Sequence, residues 1–117
     1  MITIKVKNSS EIPKGYTRIV EWDNGLVKDW YKNGNLHKED GPAIINTVSN
    51  EDNKWFLNGK WILMQEEIKS FSNWIVLSKS QHPEYPLVQI WKILDKNGLF
   101  EQEMTSDLIK LFNESHE

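Results

Sequence analysis

The residues best suited to acid–base or metal chemistry are His37, Glu39 and Asp40, which fall close together in the chain. An imidazole beside carboxylates can move a proton or begin a metal site. A metal site needs three or four converging ligands, and no spacing of His, Asp or Glu here supplies them. His82 and His116 stand alone, in an expected loop and an expected tail. The acidic pairs Glu39-Asp40, Glu51-Asp52 and Glu66-Glu67 read as solvated turns or helix starts, since acids favour helix N-termini. No Gly-x-Gly-x-x-Gly, Walker loop, Gly-x-Ser-x-Gly or His-Glu-x-x-His occurs. His37, followed by Asp40-Gly41-Pro42, is therefore expected to be a structural latch. Its imidazole would bond a backbone carbonyl while Asp40 forms an Asx-turn. The expectation is a protein that is not an enzyme, with no catalytic residue, no metal ligand and no cofactor. The chain has no Cys, which excludes disulfides and permits a reducing compartment.

The other residues able to carry a function are aromatic. Six Trp is high for 117 residues, and Trp recurs at binding hot spots. Trp22, Trp30, Tyr31, Trp55 and Trp61 are the candidate contacts with another protein. A second possibility is single-stranded nucleic acid, stacked on exposed aromatics and steered by Lys5, Lys7, Lys14 and Arg18. Those four cations against Glu11 give the first twenty residues a charge of +3, while residues 21–60 carry −2 and 61–117 carry −4. So mildly acidic a body lacks the clustered cations that broad phosphate binding needs. A third possibility is self-assembly through an uncovered edge strand, Ile2–Val6 or Lys60–Leu63, which leaves monomer or homodimer open.

The elements that must position these residues are set by turns. Asn-Gly tolerates positive φ at both positions and closes a two-residue hairpin of the right twist. Trp30-Tyr31-Lys32-Asn33-Gly34 returns 25 residues later as Trp55-Phe56-Leu57-Asn58-Gly59, and Trp22-Asp23-Asn24-Gly25 is a shorter echo. Two-residue turns fix register. Ile19 should face Trp30, Glu21 face Lys28, Tyr31 face Leu36, Trp30 face His37 and Lys28 face Glu39. That predicts a Glu21–Lys28–Glu39 ladder across three strands. In the last hairpin Phe56 and Trp61 share one face, with Trp55, Leu57 and Ile62 on the other. Both sheet faces are partly apolar, so both need covering.

After Leu63 the apolar period becomes helical. Met64, Ile68, Phe71, Trp74 and Ile75 predict a helix to about Lys79. Leu87, Ile90, Trp91 and Leu94 predict a second, opened by Pro86 and stopped by Asn97-Gly98. Met104, Leu108, Leu111 and Phe112 predict a third within 100–113. The expected fold is α+β: one domain over 1–117, with a twisted antiparallel sheet of stacked hairpins in 1–63 and a cap of two or three helices in 64–117. Residues 1–7 alternate like a strand without the apolar run of a signal peptide, and no stretch is long enough to span a membrane. The expected location is the cytoplasm.

Residues 30–43, Trp-Tyr-Lys-Asn-Gly-Asn-Leu-His-Lys-Glu-Asp-Gly-Pro-Ala, resemble the MORN-like β-hairpin repeats. The match is to the variant reading Trp-Tyr-x-Asn-Gly-x-x-His-Arg-x-Asp-Gly-Pro-Ala, found in phage and bacterial proteins, with Lys38 standing where that pattern has Arg. The second unit keeps Trp55 to Lys60 but lacks the His-x-x-Asp-Gly-Pro-Ala that should follow, so the resemblance spans residues 30–62. It implies stacked hairpins and an interaction or scaffolding role, with no activity or cofactor. A Lys count of 13 against one Arg, with abundant Asn and Ile, is the bias of an AT-rich genome. Together these suggest a phage-encoded protein that binds and inhibits a host defence factor in the host cytoplasm.

Overall fold

The computed structural model describes residues 3–22, 25–48 and 52–116. Backbone contacts divide the chain into two compact units, residues 1–38 with 42–66, and residues 39–41 with 67–117. The Asn33-Gly34 and Asn58-Gly59 turns adopt the geometry expected of hairpin tips. Asn33 and Gly34 have φ of 52° and 82°, Asn58 and Gly59 of 49° and 80°. In the third expected turn, Asn24-Gly25, Gly25 has a φ of 67°, while Asn24 and the preceding Asp23 lie outside the described residues.

In the first unit, β1 (Thr3–Val6), β2 (Ile19–Trp22), β3 (Val27–Lys32), β5 (Ile44–Asn46), β6 (Lys54–Leu57) and β7 (Lys60–Met64) lie side by side in that order, and β4 (Asn35–Leu36) pairs with β3. The β2–β3 register places Ile19 opposite Trp30 and Glu21 opposite Lys28, as the turn requires. Tyr31 faces Leu36 across the next turn. The ladder does not continue to Glu39. β4 ends at Leu36, and β5 takes its place beside β3 with Ile45 opposite Lys28. β1 joins β2 in parallel, because the connection 7–18 is long enough to cross over and return in the same direction. A bulge in the last hairpin shifts Leu63 opposite Trp55 while Phe56 still faces Trp61. Val6, Val20, Ala43, Trp55, Leu57 and Leu63 form this unit's core.

The hairpin tips explain the stacking. The Gly34 amide donates to the Tyr16 carbonyl at 2.8 Å, and the Asn33 amide to Thr17 Oγ1 at 2.8 Å. The second tip repeats this on the first hairpin. The Gly59 amide donates to the Leu36 carbonyl at 2.8 Å, and the Asn58 amide to His37 Nδ1 at 2.8 Å. Each two-residue turn leaves amides with no partner inside its own hairpin, and the preceding segment accepts them with one carbonyl and one side chain.

The second unit departs from the expected helical cap. The first expected helix is a 3₁₀ segment, Gln65–Asn73, followed by strand β8 (Ile75–Gln81). The second is strand β9 (Gln89–Asp95), and Asn97-Gly98, expected to stop it, instead belongs to the turn into β10 (Gly98–Met104). The third forms where it is expected, as α1 (Ser106–Ser115), ending two residues past 113. Period two prevails in β9: Trp91 and Ile93 are buried while Lys92 and Leu94 face out. β-Branched and aromatic side chains favour a pleated surface, so tertiary pairing overrides the 3.6-residue match. The three strands form an antiparallel sheet in the order β10-β9-β8. Its inner face packs on Leu108 and Phe112 of α1 and on the 3₁₀ residues before β8. Trp91 meets Phe112 edge-on at 5.0 Å, and Trp74 meets Phe71 at 4.5 Å and Phe100 at 5.5 Å. The chain is α+β, with one large sheet, a second sheet and a C-terminal helix. No helix among the described residues is long and apolar enough to cross a membrane.

Candidate interaction surfaces

The five aromatic candidates do not share one environment. Trp55 is only 1 % exposed and belongs to the core of the first unit, which corrects its assignment as a contact residue. It alternates with the half-buried Phe56, and the alternation of β6 turns Trp55 inward. Trp22, Trp30 and Tyr31 are half-buried. Trp22 Nε1 donates to Asp29 Oδ2 at 2.8 Å, which ties the indole to the sheet. The Lys38 ammonium sits 4.2 Å over the Trp30 ring and occupies one face of it. Trp61, beside the second turn and opposite Phe56, is 52 % exposed.

Tyr31 and Lys14, drawn from two different expectations, line one cleft of about 450 Å³ with Ser9, Ile12, Asn33 and Asn35. Burial, and then the Asp29 carboxylate, push the Tyr31 phenol above its ordinary range. Lys5, Lys7, Lys14 and Arg18 are all exposed. Acids interleave them: Glu21 is the register partner of Lys5, and the Glu11 carboxylate accepts the Lys7 amide at 2.7 Å.

The histidines are structural in geometry. His37 is buried and latches the second hairpin tip to the first hairpin. Its Nδ1 accepts the Asn58 amide, so the ring hydrogen lies on Nε2. His82 is not alone. Its Nδ1 accepts the Glu84 amide at 3.0 Å, its Nε2 lies 3.5 Å from Glu103 Oε2, and its ring lies 4.7 Å from that of Tyr85. With both nitrogens engaged, the imidazole has no lone pair to offer a substrate; it clasps the β8–β9 connection to β10. Burial first, then Glu84, Glu39 and Glu103, push the Tyr85 phenol upward. His116 stacks on Phe112 at 4.0 Å at the end of α1. Among the described residues no three or more His, Cys, Asp or Glu side chains converge as a metal site would need.

No protein-family model matches the chain, and no curated protein or solved structure is significantly similar to it. The surfaces must therefore be read from their own chemistry.

One exposed surface lies where the sequence pattern predicts buried helix faces. The outer face of the second sheet carries Ile75, Leu94 and Leu99 in a single cross-strand row, 58 %, 39 % and 60 % exposed, with Leu77 at 53 % beside them. A bulge between Val76 and Ser78 displaces Leu77 from the ladder. The next row is Ser78, Lys92 and Glu101, and the next Ser80, Ile90 and Glu103. The helical spacing expected from the sequence turns Ile75 and Leu94 toward a core; the strands turn them outward. The signal that could have found this face is the adjacency of Ile93 and Leu94: in a strand, neighbours point to opposite sides, so both cannot be core.

Proposed function

We propose that this chain acts by binding another protein, and that the hairpin unit presents the contact, with Trp61 as its anchor. The observation that carries this reading is the exposure of Trp61 on a strand whose register is held by a positive-φ turn and by docking of that turn on His37 and Leu36. A large aromatic ring in a fixed position binds with little loss of conformational entropy, and such side chains dominate interface energies. Trp30 and Tyr31 flank the stacked tips as half-exposed secondary contacts. The stacked-hairpin resemblance in residues 30–62 points to the same interaction role, and both histidine arrangements inside the units leave no nucleophile or base poised over a cleft.

The test is affinity capture from the native host lysate with wild-type protein, Trp61→Ala and Leu94→Lys. A stoichiometric partner retained by wild type and Leu94→Lys but lost by Trp61→Ala is the expected result. No stoichiometric partner, or one indifferent to Trp61→Ala, overturns the reading.

A further inference from the structure

The outer face of β8–β10 is complementary to itself. Two rows decide this. In one, Leu94 of β9 stands beside Leu99 of β10; in the next, Lys92 of β9 stands beside Glu101 of β10. All four side chains are exposed. A two-fold axis parallel to the strands and passing between β9 and β10 lays β9 of one copy over β10 of the other, with the rows kept level. Leu94 then covers the second copy's Leu99, and Lys92 meets the second copy's Glu101, each contact occurring twice. An axis over β9 itself would set Lys92 against Lys92, so the charges select the offset arrangement. Ile75 and Leu77 flank the second copy's Leu99 about 4.8 Å to the side, one strand spacing away. Glu103, the acid of the third row, is held by His82 and stays off the symmetric pair.

We propose that this face is the interface of a homodimer, two sheets packed face to face with each α1 on the outside. The occupant is a second copy rather than an unrelated protein because one cation and one anion, side by side over an apolar row, satisfy their own image. Face-to-face packing is also what an antiparallel sheet with apolar side chains on both faces requires, since α1 covers only one of them. The surface is distinct from Trp61, so the two readings stand or fall separately.

Molar mass in solution, by sedimentation equilibrium or light scattering, tests it. Wild type is expected at twice the 13.8 kDa chain mass. Leu94→Lys and, independently, Leu99→Lys should give single chains with unchanged far-ultraviolet dichroism; both positions are exposed, so neither change disturbs the core. Lys92→Glu sets like charges together and should weaken association about tenfold or more. The double reversal Lys92→Glu/Glu101→Lys restores the pairing and should restore the dimer, and Trp61→Ala should leave the mass unchanged. Wild type at single-chain mass at any concentration tested, a dimer indifferent to both leucine changes, or a double reversal that fails to rescue overturns the proposal.

Discussion

The two units use their aromatic residues in opposite ways. In the hairpin unit, Trp22, Trp30, Tyr31 and Trp61 sit on the flanks of the sheet, half-covered or bare, and backbone-to-tip hydrogen bonds hold the hairpins in stack. In the second unit Phe71, Trp74, Trp91 and Phe112 gather on one side of the sheet with Ile93 and Leu108, and the large apolar side chains left outside, Ile75, Leu77, Leu94 and Leu99, are all aliphatic. One architecture is held by directional bonds at its turns, the other by a single aromatic cluster. A unit built the first way tolerates loss of an aromatic better than one built the second way.

The largest effect that follows is at Trp91. Its ring is fully buried between Phe112 and the Lys79 ammonium, which lies 4.4 Å over it. Trp91→Ala is expected to cost about 3–5 kcal/mol, the range for a large core aromatic. Trp30→Ala, at a half-buried position, should cost less than half of that. Urea unfolding of the two variants measures the difference, and equal losses would break the contrast between the units.

The second effect tests the turn bonds. His37→Ala leaves the Asn58 amide without its acceptor at a part-buried position, a loss of about 1–3 kcal/mol. Thr17→Ala removes the equivalent acceptor from the Asn33 amide, but at an exposed site where water replaces it, so a smaller loss is expected. His37→Asn, which keeps an acceptor on the side chain, should recover part of the stability. Amide exchange at Asn58 is the local readout: protection should fall in His37→Ala and return partly in His37→Asn.

How much of this was legible depends on whether the determining interaction is local. Asn33-Gly34 and Asn58-Gly59 specify their own φ, so the Tyr31–Leu36 and Phe56–Trp61 pairs could be written down from four residues each. Where the hairpin ends is a contest with a distant strand: β5 displaces the return of β4, and the Lys28–Glu39 pair is lost to Ile45. In β9 a short amphipathic run fits both periods. Leu87, Ile90, Trp91 and Leu94 match a helix, Trp91 and Ile93 a strand, and the choice is made by β8 and β10 alongside. The candidate site divides the same way. Strand alternation says that Trp55 and Trp61 occupy different faces; which of them is covered depends on where the rest of the unit's core gathers, and it is Trp55 that is buried. The His82–Glu103 clasp depends on the β9–β10 register and had no local signal; for the outward Leu94–Leu99 row the only local sign was the adjacency of Ile93 and Leu94.

The smallest expected effect lies in the hairpin unit, at Asp29. This carboxyl is buried; its Oδ2 accepts from Trp22, while Oδ1 has no partner. Loss of water around it raises its pKa above the ordinary 3.8, and the Trp22 bond only partly opposes this. The sign for stability follows from linkage. As pH rises past 3.8 the unfolded chain releases this proton first, so unfolding is favoured increasingly until pH passes the folded-state value; stability is lost across that window as pH rises and regained as it falls. Asp29→Asn keeps an oxygen for the Trp22 indole and removes the charge. Its urea midpoint should equal that of wild type below pH 3.8, draw ahead as pH rises, and hold a constant lead at neutral pH. Parallel pH curves for the two proteins would mean that water reaches Oδ1 and that the flank of this sheet, unlike the aromatic cluster of the second unit, is wet beneath Trp22.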